Sequence, residues 1–533
     1  MYPLLVKSIL ERPLRLFARK EIVSRDFSGD FRYTYGDFYK RVCRLANVLE
    51  GMGIKRGDRV ATFAWNNHRH LELYFAAPCM GAVLHPLNLR LFPDHLAYII
   101  NHAEDKVIFI DEDMLPSIEA VKDKIKTVSN FVVMTDKQRM PGTTLSPVAS
   151  YEQLLSQASP EYRFPADLDE NSAAALCYTS ATTGMPKGCI YTHRGVHLHA
   201  LTVGLPDVTG LSEKDTVMYA VPMFHALAWV MPYVATWVGA KQVMAGPHPD
   251  VRDWCQLIQN EKVTFSLAVP TVWRGILNLL ETEKHDLSSL RLVLNGGSAP
   301  SLALIEAYEK LGIHYVHGFG LTESSPFLAV NMLKSYMEDW SEQQKYAHML
   351  KQGLIVRGIE WKVVDENGQE VKRDGKEMGE LCVRSPWAIT EYFKEPERSA
   401  EAIKGGWLHT GDVVTVDEEG YIEIKDRRKD IIKSGGEWIS SIDLENTIMN
   451  NPAVLEACVV GVPHPRWEER PVAYVVLKPS SKDKVTREDI LNFLRDKVVK
   501  WWIPEDVRFV DEIPKTGVGK FNKKLLRQMY SAK

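Results

Sequence analysis

The stretch Tyr178-Thr-Ser-Ala-Thr-Thr-Gly-Met-Pro-Lys-Gly188 concentrates the residue types that can hold a polyphosphate. The hydroxyls of Thr179, Ser180, Thr182 and Thr183 can donate to phosphate oxygens, while Gly184 and Gly188 let backbone amides approach closely. Lys187 adds a positive charge. The apolar run Ala173-Ala-Ala-Leu-Cys177 precedes the loop, so a strand delivers it. It is not a Walker loop, because the G-x-x-x-x-G-K-[ST] order is absent. A plain polar surface loop is the competing reading. Metal chemistry finds no comparable spacing: the seven cysteines never form C-x-x-C, and the sixteen histidines include no H-E-x-x-H pair. Cysteines that are scattered and odd in number fit reduced thiols in a cytoplasmic protein and give no disulfide framework.

The elements around that loop follow a βαβ rhythm. Arg59 to Trp65 is β-prone, Leu71 to Met80 has helical spacing, and Gly81 to Pro86 returns to strand. A helix is expected from Pro93 and Asp94 to Ile100, then a strand from Lys106 to Asp111. The rhythm recurs at Val263 to Pro270 and Leu290 to Gly297, and implies a largely parallel sheet with helices on both faces. After about Asp426 the texture changes to two β-rich runs, Val454 to Val462 and Arg470 to Leu477. A helix follows near Thr486, where Thr486-Arg-Glu-Asp489 has the form of a capping box.

At 533 residues the chain needs more than one core. With 45% hydrophobic and 25% charged residues it has an ordinary globular composition. A net charge of -4 argues against a dedicated nucleic-acid binder. Met1 to Lys20, with Lys7, Arg12, Arg15 and Arg19, reads as a surface helix and not a secretory signal. Val217 to Ala240 is the most apolar region, but Pro222, His225 and Pro232 make it a poor membrane span.

The hydroxyl-rich loop and several later segments, taken in order, resemble the adenylate-forming (AMP-binding) superfamily. That superfamily includes acyl-CoA synthetases, firefly luciferase and peptide-synthetase adenylation domains. Its loop commonly has glycine where this chain has Ala181, a change that removes no phosphate donor. Asn295-Gly-Gly-Ser-Ala-Pro300 looks like the segment whose backbone borders the adenine, which brings in Gly297, Ser298, Ala299 and Pro300. His317-Gly-Phe-Gly-Leu-Thr-Glu-Ser324 resembles the next signature and includes His317, Gly318 and Gly320. The resemblance implies that Phe319 stacks on adenine, Thr322 contacts the α-phosphate, and Glu323 with Thr179 holds magnesium. An aromatic face suits a purine, and a carboxylate is a hard ligand for Mg2+. It further implies that Asp412, in Trp407-Leu-His-Thr-Gly-Asp412, takes the ribose hydroxyls together with Arg427.

The implied fold is α/β: a large multi-subdomain N-terminal α/β domain with parallel sheets (residues 1–428, ATP and acyl pocket) and a small mobile C-terminal α+β domain (429–533). Lys429 matches the hinge between them. In Pro514-Lys-Thr-Gly-Val-Gly-Lys520, Lys520 matches the mobile catalytic lysine of adenylation. Gly435 and Gly436 match the loop that lines a pantetheine tunnel in the second half-reaction. A solvated basic tail is the bland alternative for Lys520.

His225 matches a residue that reorients between half-reactions, and Trp229 a tryptophan that gates the acyl tunnel of bacterial fatty-acid ligases. Gly297 and Gly320 also fall beside the acyl group. A core histidine and a core tryptophan are the competing readings. Ala64-Trp-Asn-Asn-His-Arg-His-Leu-Glu72 and Gly435 to Ser441 most resemble medium-chain fatty acyl-CoA ligases and 3-methylmercaptopropionate-CoA ligases. The expected reaction joins a short- or medium-chain acid, or 3-methylmercaptopropionate, to coenzyme A at the expense of ATP, with Mg2+. A homodimer is implied by resemblance alone. The rivals are an amide-forming or luciferase-like use of the adenylate, and a nucleotide-binding protein without chemistry.

Overall fold

The computed structural model describes residues 2–137, 139–179, 185–435, 437–482, 484–515 and 521–531. Two compact units divide the chain. The first comprises Met1–Thr179, Pro186–Glu360 and Arg384–Leu408; the second contains Trp361–Val383 and His409–Lys533.

The first unit holds two large sheets. In the seven-stranded one, Val148–Ser150, Asn130–Met134, Asp105–Asp111, Arg59–Phe63, Val83–Pro86 and Ala173–Tyr178 run parallel in that spatial order. Gly188–Thr192 then folds back antiparallel on Ala173–Tyr178. The nine-stranded sheet has a parallel centre formed by Leu292–Asn295, Phe265–Ala268, Thr216–Tyr219 and Lys241–Met244, flanked by His314–Gly320 and Glu21–Arg25. Both sheets therefore carry the parallel topology that the βαβ rhythm predicts.

Helix His68–Met80 is central to this unit. It packs on strands of both sheets, and all thirteen of its residues are buried. Asn67 caps its start by accepting the His70 amide, and Gly81 ends it at φ +94°. A Cβ at Gly81 would stand 2.9 Å from Leu168, so the turn requires glycine twice over. The N-terminal helix Val6–Leu16 is more than a surface helix: Val6, Ile9 and Leu10 are buried in the same core, and Pro13 is buried beside them.

The second unit contains a sheet whose longest pair, Val454–His464 and Glu468–Leu477, is antiparallel, with Asp506–Phe509 added in parallel. The capping box at Thr486 is present and opens helix Arg487–Arg495. Ile432, Leu444, Val459, Val475 and Ile490 form one core of this unit, and Cys458, Val460, Tyr474 and Leu526 another. Trp407–Val416 pairs antiparallel with Ile422–Arg427. Among the described residues no helix is long and apolar enough to cross a membrane.

Candidate active site

The hairpin that carries the hydroxyl-rich loop is closed at its base by two hydrogen bonds. The Thr179 amide donates to the Lys187 carbonyl at 2.9 Å, and the Lys187 amide donates to Thr179 Oγ1 at 3.1 Å. Ser180, Ala181, Thr182, Thr183 and Gly184 lie outside the described residues. At Gly188 a Cβ would come within 3.1 Å of both Leu176 and Phe393, so glycine lets a neighbouring strap cross the hairpin closely. Phe393 donates its amide to the Gly188 carbonyl at 2.8 Å, and Tyr392 bridges Cys189.

That strap brings Lys187 and Glu323 together. Lys187 Nζ donates to the Tyr392 hydroxyl at 2.7 Å and lies 3.9 Å from its ring centre. The Tyr392 hydroxyl donates to Glu323 Oε1 at 2.8 Å, and Lys187 Nζ stands 3.8 Å from the same oxygen. Burial, then the Glu323 charge, push the Tyr392 phenol far above its ordinary pKa, so it remains a neutral donor. Glu323 sits on the short turn Thr322–Ser324, and its carbonyl accepts the Ile389 amide at 2.9 Å. Tyr392, which composition and spacing do not single out, thus joins two of the expected site residues.

Strand His314–Gly320 leads into that turn. A Cβ at Gly320 would lie 1.8 Å from the Pro326 carbonyl oxygen, so this position needs glycine to let the chain fold back. Phe319 is half-buried near the end of the strand. His317 is buried, and its Nδ1 lies 3.1 Å from the Lys351 carbonyl. Burial lowers the His317 pKa to about 4, so the imidazole is neutral at pH 7. Thr322 is buried, and its carbonyl accepts the Tyr191 hydroxyl at 2.7 Å. In the neighbouring loop, Asn295 Nδ2 donates to the Ser298 carbonyl at 3.1 Å, leaving Gly297, Ser298 and Ala299 exposed and Pro300 buried.

Trp229 reaches this loop. Its indole stands 2.5 Å from where a Cβ on Gly296 would be, and its ring meets Phe327 edge-on at 6.2 Å. The backbone that presents it is unusual. Ala226, Leu227, Ala228, Trp229 and Val230 are five consecutive non-glycine residues with φ between +39° and +62°. Each costs about 1–2 kcal/mol relative to right-handed backbone, so surrounding contacts must impose the turn. His225 precedes it half-buried, with its carbonyl accepting the Ala228 amide at 2.9 Å.

In the second unit, Asp412 and Arg427 face each other across an antiparallel pair, and Arg427 Nε lies 2.9 Å from Asp412 Oδ1. Glu380 supports that turn by accepting the Gly411 amide at 3.2 Å. Glu380, Cys382 and His409 bring potential metal-ligating atoms within 4.8 Å of one another. Arg428 Nη1 already lies 2.6 Å from Glu380 Oε2, so a cation occupies the carboxylate from within the protein. Lys429 is exposed in the turn between strands Ile422–Arg427 and Ile432–Ser434. Gly435 has φ +64°, and a Cβ there would stand 2.9 Å from the Trp467 indole. Gly436 and Lys520 lie outside the described residues. Lys515 and Phe521 form an antiparallel bridge. Just beyond, half-buried Lys523 holds Glu445 at 2.8 Å.

The sequence pattern of the AMP-binding enzyme family matches residues 10–393, and that of the AMP-binding enzyme C-terminal domain matches residues 443–520. This chain belongs to the AMP-binding enzyme family. It is 46% identical to a long-chain-fatty-acid–CoA ligase of Thermus thermophilus, over 98% of this chain and 94% of the relative. It is 40% identical to a medium-chain-fatty-acid–CoA ligase of Ectopseudomonas oleovorans, over 99% and 96%. With a 3-methylmercaptopropionyl-CoA ligase of Ruegeria lacuscaerulensis it shares 39%, over 99% and 97%. Among solved structures, the anthranilate CoA ligase AuaEII in complex with anthranoyl-AMP superposes with a TM-score of 0.84 at 26% identity, covering 100% of this chain and 99% of that one. The adenylate-forming architecture expected from the motifs is the one observed.

Proposed function

We propose that this AMP-forming acyl-CoA ligase activates a short- or medium-chain fatty acid or the thioether acid 3-methylmercaptopropionate. The enzyme is an acid–thiol ligase that uses ATP and coenzyme A. The acid's carboxylate oxygen attacks the α-phosphorus, forming the acyl-adenylate as the bond to pyrophosphate breaks. The cofactor's sulfur then attacks the acyl carbonyl, and AMP leaves.

The observation that carries the nucleotide chemistry is the Lys187–Tyr392–Glu323 cluster, a cation and a carboxylate held on one hydroxyl at the mouth of the loop hairpin. Lys187 and the loop hydroxyls bind the phosphates. Glu323, partly exposed, offers a hard oxygen to magnesium. Thr179 Oγ1 accepts one amide hydrogen and keeps a second lone pair for the ion. Magnesium supplies neutralisation of phosphate charge. Phe319 and the 297–300 backbone take the adenine, with His317, Gly318 and Gly320 shaping the strand beneath it, and Thr322 meets the α-phosphate. Asp412 and Arg427 take the ribose. Lys520, on a small domain turning at Lys429, serves adenylation, and Gly435 and Gly436 line the thiol's approach after the turn. Trp229 and His225 border the acyl and thiol channels.

The relatives at 40% and 39% identity support the choice of acid. The seven described cysteines are all buried and free, which supports a reducing, cytoplasmic setting. The test is a panel of acids from C2 to C16 with thioether and aryl acids, scored by acyl-CoA formation and by acid-dependent ATP–pyrophosphate exchange. A maximum at C4 to C10 or at 3-methylmercaptopropionate is expected; a maximum at C14 to C16 overturns the assignment of the acid. Exchange without acyl-CoA would instead indicate another acceptor.

A further inference from the structure

Both ends of the left-handed turn Ala226–Val230 are tied to one buried element. At the entry, the Asn66 side chain takes three backbone groups in succession: Nδ2 donates to the Tyr219 carbonyl at 3.0 Å and to the Val221 carbonyl at 2.8 Å, and Oδ1 accepts the Met223 amide at 2.7 Å. The Tyr74 hydroxyl takes the Met223 carbonyl, so both polar groups of that residue's backbone are held. At the exit, the Tyr233 hydroxyl donates to the Tyr74 carbonyl at 3.2 Å, with the two rings 5.6 Å apart. Tyr74 and Tyr233 are fully buried, and Asn66 is 9% exposed. Tyr74 lies on helix His68–Met80, and Asn66 immediately precedes its cap. Asn66 is itself fixed, because its carbonyl accepts the Gly246 amide at 3.0 Å.

Five non-glycine residues do not stay left-handed unless their ends are constrained. The constraint here is specific in chemistry. Only an amide side chain can give two hydrogens to carbonyls and accept a third hydrogen at one point; aspartate would turn a carboxylate toward two carbonyl oxygens. We propose that Asn66 and Tyr74 are positioning residues for acid selection, clamping the two ends of the left-handed turn so that Trp229 is held against Gly296. The inference rests on the reading that Trp229 borders the acyl channel. The clamp acts through the backbone at Tyr219, Val221 and Met223 and through the Tyr233 hydroxyl on the Tyr74 carbonyl.

Asn66→Asp and Tyr74→Phe keep the size of each side chain while removing its donors. Each is expected to raise the KM for the acid about tenfold and to flatten the chain-length profile, with the KM for ATP unchanged within about twofold. A merely structural loss would instead reduce activity equally for every acid. Should Asn66→Asp fail to fold, Tyr74→Phe decides alone. Trp229→Ala, run in parallel, separates the two claims. If it shifts the chain-length profile while the folded clamp variants leave it intact, the clamp is overturned and the acyl reading stands. If Trp229→Ala also leaves the profile intact, the acyl reading fails and takes the clamp with it.

Discussion

Two regions of the first unit present their key side chains by opposite means. Lys187 immediately precedes strand Gly188–Thr192 and Glu323 sits on the short turn that follows strand His314–Gly320, both at negative φ, and they face each other through a tyrosine hydroxyl. Trp229 stands on five left-handed residues held from both ends by buried side chains. The first region positions charge, which acts over several ångströms and tolerates a small displacement. On the proposed reading of Trp229, the second positions shape, where a shift of one methyl group alters which chain fits. Strained backbone is placed where fit is exacting, and regular backbone where charge is enough.

The sharpest way to break that contrast is to remove a charge. Glu323→Gln and Lys187→Ala should each lower acid-dependent ATP–pyrophosphate exchange by about 10²–10³-fold, because the proposed site then loses a preorganised group for the phosphates. The chain-length preference should survive in whatever activity remains. A changed preference would mean that the two regions do not act separately. Tyr392→Phe comes next. It removes the hydroxyl that links Lys187 and Glu323 and leaves both charges in place, so the KM for ATP should rise about tenfold with a smaller change in kcat. An unchanged KM would mean that the two charges find their places without the strap.

The same contrast explains what could be read from residue order. The parallel strands at Arg59–Phe63, Val83–Pro86 and Asp105–Asp111 were legible because alternating apolar runs and helical spacing are local signals. The order of strands in the nine-stranded sheet, where Glu21–Arg25 lies beside Lys241–Met244, depends on contacts across more than two hundred residues and has no local signature. Lys187, Glu323, Asp412 and Arg427 could be proposed for the site because the motifs that contain them resemble those of the family. Tyr392 was not: one tyrosine in Ile389-Thr-Glu-Tyr-Phe393 looks like any buried aromatic, and its hydroxyl matters only once the strap folds over the hairpin. Glu380 was missed for the same reason, since its partners Gly411 and Arg428 come from distant segments. The left-handed turn was the least legible feature. Ala226-Leu-Ala-Trp-Val230 contains neither glycine nor asparagine, and its alanines and leucine favour an ordinary right-handed helix. Tertiary hydrogen bonds from Asn66 and Tyr74 oppose that preference.

The smallest expected effect therefore probes the backbone itself. At Ala228, with φ +48° and ψ +39°, glycine would adopt the same conformation without the steric cost of a Cβ. Against that relief stands the larger entropy that glycine loses on folding, so the net gain should be at most about 1 kcal/mol. Ala228→Gly is then expected to raise the melting temperature by about 1–3 °C while broadening the range of acids accepted, since a freer turn holds Trp229 less firmly. The combination is diagnostic. A drop in melting temperature would mean that the turn is not under the strain its dihedral angles imply. A rise with unaltered selectivity would mean that strain and gating are separate properties, and that the clamp fixes Trp229 whatever residue occupies the turn.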